Sequence, residues 1–369
     1  MSLQGGFGGF GGFGGFGGFG GFGGFGGFGG AGGFGGVPGY SNEALAQNRD
    51  GIVGAWVPPT GFPAQLDEED RDNLGRWEPW VRASLIDFSL FSRLHFDKEG
   101  AGYTLYDIEP GVAGKQSIVK MIRPPKTAAF WIAQLNIVAS WADLRAERCS
   151  EILSQLTPPI AYWSAIANLH PERHKWTLEL LWTALRLANH AEMRFKHALA
   201  CRRAVEMSPQ VQPLVLTPGH GSLPSGHSTE ASIVAHVLWR LLKTADNTKD
   251  FSWLEQLMRQ AARIAVNRTI AGLHFPVDSA AGQLLGLTLG EYLVHRAGVA
   301  GVNTYESWTF DGTAYPSGLD FDWRQLFDPN TYQRKAATDG YTSRIAATAA
   351  ATPSVPLKWL WEQAVAEWP

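Results

Sequence analysis

The chain has 369 residues, of which 45% are hydrophobic and 18% charged, a composition that permits one large domain with a substantial core. Its formal net charge of −3 excludes the global basic field that nucleic-acid binding requires. The two cysteines, Cys149 and Cys201, do not provide a disulfide framework.

The chain begins with a tandem Gly-Gly-Phe repeat over residues 5–36. Such a segment cannot bury enough surface to offset its backbone entropy, so we expect residues 1–40 to be disordered. Two roles stay open for this tail. It is either a cohesive segment that self-associates through its phenylalanines or docks on a partner, or a flexible extension without a part in catalysis.

The remaining chain is interpreted as three parts: an N-terminal arm or cap packed on the core at 41–125, a catalytic core at 126–299, and a loop-rich extension at 300–369 that ends in an amphipathic helix. Helical periodicity in the core predicts helices at about 126–155, 159–169, 171–203, 228–243, 250–270 and 277–296. The predicted fold is therefore all-α, an antiparallel helical bundle.

No uninterrupted apolar run reaches the length of a membrane-spanning helix. The most apolar stretches, 229–242 and 279–294, are broken by residues such as Glu230 and Glu291. We therefore expect a soluble protein without a transmembrane segment. The N-terminus has no charged region followed by an apolar one, so no signal peptide is predicted and the cytoplasm is the default location.

Three short strings in the second half concentrate groups that bind oxyanions. In the first, FKHALACRR, Lys196 and Arg203 are seven positions apart on the predicted helix 171–203. They would share a face, separated by about 10 Å along the axis, so that both cations could converge on one anion.

The second string, LPSGHS, places turn residues directly before an apolar helical run. His227 should therefore lie at or next to a helix N-terminus, where free backbone N–H groups attract an anion. Gly226 allows close approach of the backbone, and Ser225 adds a hydroxyl donor.

The third string, NRTIAGLHFPVD, repeats this arrangement. Gly272 interrupts the helix that carries Arg268, and Pro276 suits the first position of the next helix. His274 then lies just before that helix, where Asp278 in the first turn can hold its other ring nitrogen. The three strings predict a basic pocket between helix ends.

Together, the strings resemble the superfamily that joins type 2 phosphatidic acid phosphatases, soluble bacterial acid phosphatases and vanadium-dependent haloperoxidases. The family pattern is Lys, six residues and Arg-Pro, then Pro-Ser-Gly-His, then Arg, five residues, His, three residues and Asp. The resemblance covers roughly residues 130–295. The chain departs from the pattern at Ala204, where the family usually has proline.

The resemblance implies a role for each matching residue. Five residues would hold the oxygens of a vanadate or phosphate: Lys196, Arg203, Ser225, Gly226 and Arg268. Lys196 also counts among the catalytic residues. His274 would be the vanadium ligand or the nucleophile that becomes phosphohistidine, His227 the acid–base residue, and Asp278 the group that orients His274.

The favoured function is a vanadium-dependent haloperoxidase that oxidises halide with hydrogen peroxide, with vanadate as cofactor. The alternatives are a soluble acid phosphatase without a cofactor, acting on phosphomonoesters, and an assembly scaffold with a vestigial pocket. His220 lies seven before His227, where bromoperoxidases similarly have a second histidine, although it could equally cap its loop. His220 and Met193 are the candidates for the halide position. The expected partners are small molecules, and homo-oligomerisation stays open.

Overall fold

The computed structural model describes residues 52–111, 114–157, 159–328, 333–335, 337–338, 340–347 and 352–369. Its α-helices are α1 (Pro79–Phe91), α2 (Ala128–Trp141), α3 (Arg145–Ser154), α4 (Ile160–Ala167), α5 (Lys175–Leu199), α6 (Ala204–Met207), α7 (Gly226–Ala245), α8 (Phe251–Ile270), α9 (Pro276–Arg296) and α10 (Val355–Val365). Its strands are β1 (Leu94–Glu99), β2 (Gly102–Asp107), β3 (Gln116–Ile122), β4 (Glu306–Asp311), β5 (Ala337–Thr338) and β6 (Thr342–Ala347). The predicted disordered tail, 1–40, lies outside the described residues.

The prediction of an all-α fold is wrong, because helices pack with a six-stranded mixed sheet in the order β1-β2-β3-β4-β6-β5. β3 and β4 pair in parallel, with Val119 opposite Trp308, and the other neighbours are antiparallel. The sheet thus joins strands from the first half of the chain to strands that follow the helices. Strands that pair across such a distance in sequence leave no local pattern that distinguishes this fold from a helical bundle.

Helix α5 is shorter at its C-terminus than predicted. It ends at Leu199, and Ala200 adopts a left-handed conformation with φ 48°. Arg203 therefore follows the helix instead of continuing its face, which corrects the expected two-turn alignment with Lys196. The chain turns back toward the helix instead, so both cations still reach the same region.

Helices α7 and α9 pack closely because glycines face α7. A Cβ on Gly286 would lie 2.3 Å from the Thr229 carbonyl oxygen, and one on Gly282 would lie 2.6 Å from that of Ser225. At the N-terminal ends of the two helices, the Ser225 amide donates to the Asp278 carbonyl at 2.9 Å. This contact fixes the second and third strings relative to each other.

The C-terminal helix α10 packs on the helical part of the molecule. Trp359 is buried and meets Trp176 edge to face, with ring centroids 5.2 Å apart. Beyond α10, the Glu367 carboxylate accepts from the amides of Trp176 and Thr177, both at 2.8 Å. A carboxylate at these otherwise unpaired amides caps the start of α5.

None of the helices within the described ranges is long and apolar enough to cross a membrane.

Candidate active site

The three strings meet in a buried cluster, here called the pocket, at the C-terminal ends of α5 and α8 and at the starts of α7 and α9. Lys196, near the end of α5, is 1% exposed. Its Nζ donates to the Ser222 carbonyl at 3.3 Å and to that of Pro224. Burial, with the repulsion of Arg203, lowers the pKa of Lys196 to about 8. The first string is thereby tied to the backbone of the second.

Arg203 connects the first string to the third. Its Nη1 donates to the Leu273 carbonyl and to Nε2 of His274, both at 3.0 Å. Its Nε donates to the His220 carbonyl at 3.1 Å and its Nη2 to His220 Nδ1 at 3.0 Å. A guanidinium has only donors, so Nε2 of His274 carries a lone pair, whereas Nδ1 of His220 also lies 3.2 Å from the Gly221 carbonyl.

His274 lies two residues before α9, as predicted. Its Nδ1 is 3.1 Å from Asp278 Oδ2, which also accepts from the Phe275 amide and from the Ser222 hydroxyl. The proton therefore lies on Nδ1, and the lone pair of Nε2 faces Arg203. Burial, and then the Arg203 charge, hold the pKa of His274 well below its usual value.

Gly272 allows the chain to turn between Arg268 and His274. Its φ is +76°, and a Cβ there would lie 2.7 Å from an Arg145 guanidinium nitrogen. The left-handed conformation favours glycine at this position. α9 then begins at Pro276, and the amide of Val277 in its first turn donates to Gln134 Oε1 at 3.1 Å.

His227 faces the pocket from the first turn of α7. Its Nε2 donates to the Gln155 carbonyl at 2.9 Å, so the lone pair of the neutral ring lies on Nδ1. Arg268 lies beside this ring, with Nη2 donating to Gln155 Oε1 at 2.9 Å. Burial, followed by the Arg268 charge, holds the pKa of His227 well below its usual value.

Arg268 has one donor that is not paired with another protein group among the described residues. It is 0% exposed, and its Nε is buried without a hydrogen-bond partner. Burial lowers the pKa of Arg268 to about 10, so the side chain stays cationic at neutral pH. A buried unpaired donor on a cation is a suitable contact for an anionic oxygen.

Ser225 and Gly226 form the start of α7. The Ser225 hydroxyl caps the helix by accepting from the Ser228 amide at 3.4 Å, a weak bond that a stronger partner can replace. A Cβ on Gly226 would lie 2.7 Å from Oε1 of Glu192, so this backbone position is closely packed.

Sequence reasoning missed two residues that support the site. Ser222 donates to the Asp278 carboxylate, and Gln155 holds both His227 and Arg268. Ser222 lies directly before the second string, so its position in the sequence was a signal. Gln155 is in a different segment, and nothing in its local sequence connects it with the pocket.

The two candidates for a halide position are placed differently. His220 touches Arg203 through both its ring and its carbonyl, which brings it next to the residues predicted to bind an anion. Met193 is a half-buried residue of α5, one turn before Lys196. Its role stays a prediction.

Comparison with known proteins agrees with the family resemblance. Residues 171–298 match the family model described as the PAP2 superfamily. No curated protein sequence gives a significant match. Among solved structures, the chain is similar to a transmembrane PAP2-type phosphatidylglycerolphosphate phosphatase from Bacillus subtilis, at 22% identity over 46% of this chain and 86% of that one, with a TM-score of 0.37.

Proposed function

We propose that the chain is a phosphatase that hydrolyses phosphomonoesters through a phosphohistidine on His274. The observation that carries the proposal is the His274 ring, whose Nδ1 lies 3.1 Å from Asp278 and whose Nε2 lies 3.0 Å from Arg203. The carboxylate makes the opposite ring nitrogen more nucleophilic, and the guanidinium stabilises charge on an approaching phosphoryl group. The PAP2 superfamily match over residues 171–298 supports this class of reaction.

The phosphoryl oxygens are assigned to the three buried cations, with Ser225 and the Gly226 amide. Arg268 offers its unpaired Nε. Lys196 and Arg203 now donate to backbone carbonyls, and they would exchange some of these bonds for stronger ones to anionic oxygens. A buried cation is costly without a partner, so bound phosphate would offset the free-energy cost of burying the three cations.

In the first chemical step, the Nε2 lone pair of His274 attacks phosphorus and the ester P–O bond breaks. The leaving oxygen takes the proton from Nδ1 of His227. That nitrogen is suited to the transfer because Nε2 is held by the Gln155 carbonyl. The bound phosphoryl charge raises the pKa of His227 above its low value in the free pocket, so the ring can carry this proton.

In the second step, water attacks phosphorus and gives a proton to Nδ1 of His227. The P–N bond to His274 breaks, and inorganic phosphate leaves. The ring of His274 regains its lone pair at Nε2 while Asp278 holds Nδ1, so the pocket returns to its starting state.

The direct test is to trap the phosphohistidine. The protein is mixed with p-nitrophenyl phosphate and quenched in alkali, where phosphohistidine survives. Its peptides are then analysed by mass spectrometry. We expect one added phosphoryl group on the peptide that contains His274, and acid should remove this group. The His274→Ala protein should show no label, and its turnover should be lower by about a thousandfold or more. Hydrolysis with a label elsewhere, or no hydrolysis by the native protein, would overturn the proposal.

A second candidate, halide oxidation by hydrogen peroxide at bound vanadate, is favoured by one observation: His220 lies against Arg203, next to the pocket. The residues fit vanadate, because His274 presents an unprotonated Nε2 and Arg268 an unpaired buried donor. When bound, vanadate supplies a Lewis-acidic centre that activates peroxide toward halide. Lys196, Arg203 and Arg268 would hold its oxygens.

Vanadate separates the two candidates because its effects have opposite signs. In a phosphatase, it mimics the five-coordinate transition state and inhibits hydrolysis. In a haloperoxidase, it is required for bromide oxidation with peroxide, and excess phosphate suppresses this activity by competing for the same cations. A protein that serves only as a scaffold predicts neither activity.

A further inference from the structure

Two buried carboxyl groups lie beside the anion-binding cations and have no part in the proposed mechanism. Glu192 is one turn before Lys196 on α5, and Glu230 is one turn after Gly226 on α7. Their exposed fractions are 0% and 4%. Neither oxygen of Glu192 has a hydrogen-bond partner, nor does Oε1 of Glu230. Buried oxygens of this kind are costly unless a proton or ligand satisfies them.

The Glu192 carboxyl packs against one group assigned to the anion and is attracted by two others. A Cβ on Gly226 would lie 2.7 Å from Glu192 Oε1, so the carboxyl packs against the residue whose amide is assigned to the anion. Lys196 and Arg203 both act on Glu192 electrostatically. A carboxylate there would repel a bound phosphoryl group, whereas a carboxylic acid could donate to it.

The charges around the pair favour the neutral form of Glu192. Burial raises the pKa of Glu192 to about 7, and attraction by Lys196 and Arg203 offsets only part of this effect. Burial and the charge of Glu192 raise the pKa of Glu230 well above its usual value. An anion in the pocket adds a further repulsion, so one neutral carboxyl is the less costly state when the site is filled.

We propose that Glu192 is an anion-binding residue that acts as a neutral carboxylic acid and donates a hydrogen bond to an oxygen of the bound phosphoryl group. The inference rests on the proposed function, since it takes the pocket to be a phosphoryl site. When Glu192 is ionised, binding takes one proton from solvent onto its carboxyl oxygen. Anion affinity therefore falls as pH rises through the ionisation of Glu192.

Sulfate is the probe, because it is a tetrahedral dianion whose charge is constant over the pH range. Its affinity is measured by calorimetry at about pH 5.5 and about pH 7.5, where Lys196 stays mostly protonated. Ionisation at about 7 predicts binding about fourfold weaker at the higher pH through Glu192 alone. His220, His227 and His274 contribute to the pH dependence equally with and without Glu192, so a variant isolates its share.

In the Glu192→Gln protein, the amide donates at every pH, so this fourfold share should disappear while tight binding remains. In Glu192→Leu, the fourfold share should also disappear. The leucine variant should, however, bind sulfate at least severalfold more weakly than the glutamine variant. If the glutamine variant does not fold, the leucine variant still tests whether Glu192 causes the pH dependence. Glu291→Gln, a partly buried carboxyl on α9 that pairs with Arg334, is the matched control and should keep the native pH dependence.

Two results would overturn the inference and leave the proposed function standing: a glutamine variant with the native pH dependence, or a leucine variant that binds sulfate as tightly as glutamine. Failure of the native protein to bind sulfate at either pH would overturn it together with the anion pocket. Sulfate binding as described, without hydrolysis of any phosphomonoester, would support Glu192 and refute the phosphatase.

Discussion

At the residue scale, the hydrogen-bond partners of each buried imidazole determine which of its nitrogens carries the lone pair. Arg203 lies beside His274 and His220, and Arg268 lies beside His227. The pKa values of His274 and His227 are well below the usual one, mainly because both rings are buried. A neutral ring next to a guanidinium presents a lone pair, which a nucleophile requires. Since the same burial destabilises the cations, an anion bound among them would offset part of that cost.

The first prediction concerns the nucleophile. His274→Ala should lower phosphomonoester turnover by about a thousandfold or more, because the covalent route is lost while other groups still bind substrate. Steady-state kinetics with the thermal unfolding midpoint as a folding check measures this. His197→Ala, an exposed histidine on α5, is the control and should keep native turnover. Substantial turnover in folded His274→Ala would place the nucleophile elsewhere.

The second prediction follows from Lys196, whose pKa is lowered to about 8, chiefly by burial. Below this pH it is protonated and binds the substrate anion; as pH rises through about 8, it loses its charge. We expect kcat/KM, which reports the free enzyme, to fall roughly tenfold between about pH 7.5 and about pH 9. In Lys196→Gln, kcat/KM should be low at every pH and should not fall over this range. An identical fall in both proteins would assign it to another group.

At the scale of the elements, sequence patterns predicted helix starts better than helix faces. Pro276 and the turn before α7 were readable, since proline and small residues signal helix starts locally. The face shared by Lys196 and Arg203 was wrong because α5 ends in a left-handed Ala200, which its sequence does not reveal. Both residues still entered one pocket. The contacts of Gln155 depend on α3 packing against α8, which no local pattern encodes.

The third prediction tests the close contact of α7 with α9. Gly286→Ala should destabilise the protein by about 1–3 kcal/mol, because its Cβ would lie 2.3 Å from a backbone oxygen of Thr229 and force the helices apart. Turnover should fall too, since the contact positions Asp278. In the control Gly290→Ala, the neighbour is the His236 side chain at 3.0 Å, and a gain in helix propensity offsets the smaller strain. Chemical denaturation measures both; equal midpoints would refute the helix contact as a determinant of stability.

At the scale of the whole molecule, the sheet connects regions that the sequence presents as separate. Parallel pairing of β3 with β4 joins the segment before the helices to the segment after them. Tyr292 of α9 donates to Asp107 of β2 at 3.2 Å, so the helix that carries Asp278 is also fixed to the sheet. The PAP2 match ends at residue 298, before β4, and the sheet was therefore outside the region that the motifs could predict.

The last prediction concerns the Gly-Gly-Phe repeat, which lies outside the described residues and whose role stays open. Deleting residues 1–36 should leave kcat/KM per active site within about twofold of native, because every residue assigned to the pocket lies between 155 and 278 and is held by contacts within the helical region. If the phenylalanines are cohesive, the deletion should lower self-association in sedimentation velocity. Replacing them with serine at constant length should do the same, which separates cohesion from chain length. A large loss of turnover in the folded, truncated protein would show instead that the repeat acts on the pocket.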